Sequence, residues 1–76
     1  MTKAKVLLQS ISDVKEFVSA VSMCDFEVDL VSGRYAVDAK LIMGIFSLDL
    51  SNAIELIAYT DDTEALFGQI SKFIVK

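Results

Sequence analysis

A chain of 76 residues, 54% of them apolar, with one cysteine and no histidine or proline, encodes one small domain that packing alone must hold together. A single cysteine excludes an intrachain disulfide, and the absence of histidine excludes an ordinary structural zinc site. The net charge of −4, from 11 acidic and 7 basic residues with no basic stripe, argues against a nucleic-acid partner.

No run approaches the roughly 18 apolar residues of a membrane-spanning helix. Val6-Leu7-Leu8, behind Lys3 and Lys5, is too short for a signal-peptide apolar region. The expectation is a soluble, cytoplasmic protein without membrane insertion. A body this small has too little interior for its apolar side chains, which predicts that some of them form a contact surface.

In chain order, residues 4–9 carry Val6 and Leu8 at strand spacing, with Leu7 on the other face. Ser12 and Asp13 offer N-caps, and Asp13-x-x-Glu16 has capping-box spacing. Val14, Phe17, Val18 and Val21 then recur at i, i+3, i+4 and i+7, which predicts an amphipathic helix over 13–23. Residues 25–31 alternate Phe26, Val28 and Leu30 against Asp25, Glu27 and Asp29, a half-buried antiparallel strand. Ser32-Gly33 is a turn signal, and residues 34–38 return as the second arm of a hairpin.

Residues 41–48 are mostly apolar around Gly44, a poor helix by propensity yet too punctuated for a long strand. Residues 53–59 read as a strand with apolar residues on both faces apart from Glu55, hence central in the sheet. Asp61-x-x-Glu64 opens a last helix with the stripe Leu66, Phe67, Ile70, Phe73 and Ile74. The resulting order is β-α-β-β-α-β-α. This is an α+β fold, with three helices covering one face of a four-stranded antiparallel sheet. Asp25, Glu27, Asp29 and Glu55 are expected on the open face. The whole chain, 1–76, is one domain.

The segment Lys40-Leu41-Ile42-Met43-Gly44-Ile45-Phe46-Ser47-Leu48 resembles the Lys-Ser-Ile-Met-Gly-x-x-Ser-Leu signature of the histidine-containing phosphocarrier protein family, HPr, of the sugar phosphotransferase system. The element order is also that family's, an open-faced β-sandwich with a short second helix. Pattern agreement extends from about Val6 to Ile74. The resemblance implies a phosphate-accepting histidine in a His-Ala-Arg-Pro motif before the first helix. The matching stretch here is Ser10-Ile11-Ser12-Asp13.

Ser10 replaces the histidine, Ser12 the arginine and Asp13 the proline. A phosphoserine ester lacks the transfer potential of a phosphohistidine. Without the arginine there is no guanidinium fork for phosphate oxygens. Asp13 puts a negative charge where helix N–H groups would hold a phosphate. In some members a kinase phosphorylates the serine of Lys-Ser-Ile-Met-Gly, and that position is Leu41. The expectation is a chain without phosphocarrier activity, acting as a protein-interaction or regulatory module.

Carried over residue by residue, the family's partner surface comprises Ile42, Met43 and Phe46, with Leu41 beside them. It predicts a protein partner or a homodimer through the second helix. The competing reading is core packing, expected for Ile45 and Leu48, and the surplus of apolar residues favours the interface for Leu41, Met43 and Phe46. Ser10 and Ser12 are read as ordinary caps, with a small-anion or phosphometabolite site at this helix N-terminus as the alternative function. Asp25, Glu27 and Asp29 suit a hard cation, but a solvated strand face explains them without one, so no metal site is expected. Cys24 reads as a buried structural thiol, and Tyr35 and Tyr59 carry no motif. No catalytic residue, cofactor or enzymatic activity is expected.

Overall fold

A computed structural model describes residues 1–75, apart from the Thr63 side chain. Lys76, the end of the expected 1–76 domain, lies outside the described residues. The elements run β1 (Thr2–Val6), α1 (Ile11–Ser22), β2 (Val28–Ser32), β3 (Tyr35–Asp38), α2 (Ile42–Phe46), β4 (Ile54–Ala58) and α3 (Thr63–Ile70). A 3-10 turn (Ser71–Phe73) and β5 (Ile74–Val75) follow. The sheet order is β3-β2-β4-β1-β5, and every pairing is antiparallel. The sheet therefore has five strands where the sequence predicted four.

The fifth strand corrects the reading of the C-terminal stripe. Phe73 and Ile74 continue the apolar spacing of α3, but the helix ends at Ile70. The Leu7 N–H donates to the Phe73 carbonyl at 2.8 Å, which pulls the chain back onto the sheet. Ile74 and Val75 then pair with Val6 and Lys5. Two consecutive β-branched residues suit that extended backbone better than another helical turn.

Alternation along the strands sends one set of side chains under the helices. Val6, Val28, Leu30, Ile54, Leu56 and Ala58 are buried there. Val14, Phe17 and Val21 of α1 and Leu66 and Ile70 of α3 cover them. Phe73 meets Phe17 edge to face, with ring centroids 5.9 Å apart. The predicted α1 stripe and the central position of β4 are both found.

Three boundaries differ from expectation. β1 spans Thr2–Val6 rather than 4–9, and Leu8 is buried from the loop beyond it. β2 starts only at Val28: Asp25 and Phe26 form a bend, while Glu27 leads into the strand, its carbonyl accepting the Tyr59 N–H at 2.9 Å. The N-cap of α1 is Ser10, one of the two serines read as caps, ahead of the Ser12 and Asp13 also offered; α3 is capped by Asp62 rather than Asp61, through the Ala65 N–H at 3.2 Å. The hairpin turn is as predicted. Gly33 takes φ +60, which a β-carbon would strain.

Candidate docking surface

The start of α1 is fixed by two reciprocal hydrogen bonds. Ser10, in extended backbone, accepts the Asp13 N–H on its Oγ at 3.0 Å. Asp13 Oδ2 accepts the Gln9 N–H at 3.1 Å. This is a capping box displaced by one residue, and it consumes donors that a bound anion would use. Ser12 is exposed in the first helical turn. The same turn places Ile11 at the first helical position, facing water.

α2 is short because its sequence offers little to prolong it. Its N-cap, Leu41, provides no side-chain cap bond. What holds the helix is burial of Ile45 and Leu48 and the close approach of Gly44 to β3. A β-carbon on Gly44 would lie 3.2 Å from Val37 Cβ. With that side of the helix pressed onto β3, the other side must point outward. Ile11, Leu41, Met43 and Phe46 are 65%, 60%, 76% and 40% exposed, while Ile42 is half-buried against the core.

Between the start of α1 and the end of α2 lies a depression of about 390 Å³, lined by Leu8, Ile11, Val14, Phe46 and Leu50 with Ser10 at its edge. Ser51 also lines it, and its hydroxyl and N–H donate to the Asp49 carboxylate, which holds that carboxyl below its usual value. The structure thus brings together Ser10, Phe46 and their apolar surroundings. Leu41 and Met43 are displayed on the same short helix.

Ile11 and Leu50 are the surface residues that sequence reasoning missed. Ile11 stands three residues before Val14, on the spacing of the α1 stripe. A stripe running one turn past the sheet it covers is the signal that an apolar residue overhangs.

The other candidates separate. Among the described residues no group of three or more metal-ligating side chains converges, and Asp25 sits in the bend before β2. Cys24 is half-buried, with Sγ 4.0 Å from the Ala20 carbonyl, and burial pushes its thiol up against a smaller opposing pull from Lys40. The Tyr59 hydroxyl donates to Asp29 Oδ2 at 3.0 Å on the open face of the sheet. Among the described residues no helix is long and apolar enough to cross a membrane.

No protein-family model matches the chain, and neither does any curated protein. Among solved structures, HPr-C-His from Thermoanaerobacter tengcongensis aligns with a TM-score of 0.76 and 26% identity, over 95% of this chain and 93% of that one. The chain has an HPr-like α+β fold, with three helices on an open antiparallel sheet.

Proposed function

We propose that this chain is an HPr-like domain of the sugar-phosphotransferase type that carries no phosphate. It works in the cytoplasm as a non-enzymatic protein-interaction module. The observation that carries the reading is the exposed apolar set of Ile11 and Phe46 at a groove that Ser10, the position of the family's phosphate acceptor, also lines, with Leu41 and Met43 exposed at the start of the same short helix as Phe46. A phosphocarrier needs a nucleophilic imidazole at that position. Here the hydroxyl is engaged in capping α1, and the Asp13 carboxylate would repel phosphate oxygens. Leu41 has no hydroxyl for a regulatory kinase and leaves the helix permanently apolar.

An apolar groove beside an exposed methionine and phenylalanine suits a partner's own apolar side chains, since Met adapts to irregular contacts and aromatics dominate interface energetics. Docking recovers roughly 25 cal/mol per Å² of apolar surface removed from water.

Two measurements test the reading. Incubated with phosphoenolpyruvate and the general phosphotransferase enzyme, the protein is expected to keep its intact mass; a stoichiometric, transferable phosphate would overturn it. Capture from native extract should yield a stable complex that Met43→Glu abolishes. A thermal-shift rise with phosphate or phosphosugars, abolished by Ser10→Ala and Ser12→Ala, would favour the anion site instead.

A further inference from the structure

The sheet face turned away from the helices has an ordered distribution of charge. The strand register sets Lys3, Ile57, Asp29 and Asp38 side by side across β1, β4, β2 and β3. The next row is Val75, Lys5, Glu55, Val31 and Ala36 across all five strands. β4 is the middle strand, so the lysines lie to one side of it and Asp29 and Asp38 to the other. Among the described residues the ion pairs are the N-terminal ammonium with Asp61, and Lys72 with Glu16. Lys3, Lys5, Asp29 and Asp38 therefore have no ion-pair partner among the described residues. Between these charges Val31, Ile57 and Val75 are only partly covered.

We propose that this face pairs with the same face of a second copy, about a two-fold axis running along β4. The choice of axis follows from charge. A two-fold across the strands lays β1 on the second copy's β1, lysine on lysine. A two-fold along the strands lays β1 on the second copy's β2. Lys3 then faces the second copy's Asp29, Ile57 meets Ile57 at the axis, and the Lys3–Asp29 pair occurs twice. Val75 comes over Ala36. Glu55 meets its own copy at the axis, and the Lys5 of each chain, one strand away, flanks the two carboxylates with positive charge.

Sheets packed in this way lie about 10 Å apart, with strand directions within about 30°. Three strands of five residues, one of four and one of two make a face of at most roughly 24 by 17 Å. That is smaller than the roughly 800 Å² per partner of a standard specific interface, so the dimer is weak and depends on concentration. The helices and the α2 groove lie on the other side of the sheet. The pairing is therefore compatible with the docking reading above and independent of it.

Analytical ultracentrifugation of the full chain with charge-reversed variants tests the arrangement. The wild type is expected to associate reversibly toward about 1 mM, a range that suits so small an interface. Lys3→Glu alone and Asp29→Lys alone each turn both facing pairs into repulsions. Each should weaken association by at least about tenfold. An equimolar mixture of the two variants restores both pairs, Glu against Lys and Asp against Lys, and should dimerise as well as the wild type. Ile57→Arg, at the axis, should be monomeric irrespective of pairing elsewhere, with circular dichroism confirming the fold of each variant. A wild type that stays monomeric, a mixture that stays monomeric, or association lost on Met43→Glu would each overturn the proposal.

Discussion

Gly44 occupies a five-residue helix, where glycine costs about 1 kcal/mol relative to alanine. The fold retains it because α2 lies against β3, with Val37 Cβ 3.2 Å from where a new β-carbon would stand. Val37 Cβ is fixed to its backbone, so relief requires the strand to move, a strain of about 1–3 kcal/mol. The strain exceeds the propensity gain, and Gly44→Ala is expected to destabilise by about 1 kcal/mol in urea unfolding. Tyr59 shows a second residue-scale effect. Its hydroxyl donates to Asp29, and that hydrogen bond, then the carboxylate's charge, push the phenol above its ordinary value near 10. The neutral phenol is the form favoured by the fold, so this contribution is complete below the ordinary value and is lost as pH rises through the raised one. Spectrophotometric titration should show one tyrosine midpoint moving down in Asp29→Asn; an unchanged curve would mean the bond does not form in solution.

At the scale of elements, periodicity carried the reading where one physical signal dominated. The Val14, Phe17 and Val21 stripe marks α1 because a single face of a three-turn helix must meet the sheet, and all three residues are buried. β4 was legible as the central strand for the same reason. The C-terminal segment was not, because Leu66, Ile70 and Phe73 keep helical spacing while the backbone changes form after Ile70. A residue at the correct interval enters the same core from a 3-10 turn, and spacing cannot tell the two apart. The bend at Asp25 and Phe26 was hidden likewise by alternation that continues into β2. Phe73 is the hinge of the C-terminal arrangement. Its ring packs on Phe17, its carbonyl accepts from Leu7, and Lys72 Nζ lies 5.3 Å from its centroid. Phe73→Ala removes a buried aromatic and loosens β5 together, for an expected cost of about 3–5 kcal/mol. In a domain with a stability of about 5 kcal/mol that leaves a large unfolded fraction, visible as a thermal transition shifted far down or absent.

For the whole molecule, the decisive quantity is the apolar material left over once the core is full. The core takes the sheet's inner face, the α1 stripe, Leu66, Ile70, Ile45 and Phe73, and among the described residues it buries no polar or charged side chain. Leu41, Met43 and Phe46 fall outside it, as the surplus of apolar residues implied. Ile11 joins them for a reason not readable from composition: α1 begins one turn before the sheet beneath it can offer cover. Ile11 and Met43 leave most of their surface in water and so support the isolated fold little, which lets their removal separate docking from stability. Met43 is in the first turn of α2, where an acidic residue meets the positive end of the helix dipole favourably. The double variant Ile11→Ser, Met43→Glu is therefore expected to unfold within about 0.5 kcal/mol of the parent in urea. The same variant should bind less of an apolar fluorescent dye at pH 7 and should fail to retain the parent's partner on capture. Equal dye binding would place the exposed apolar surface elsewhere. A loss of several kcal/mol would show that these side chains are core after all, and that the groove is not a docking surface.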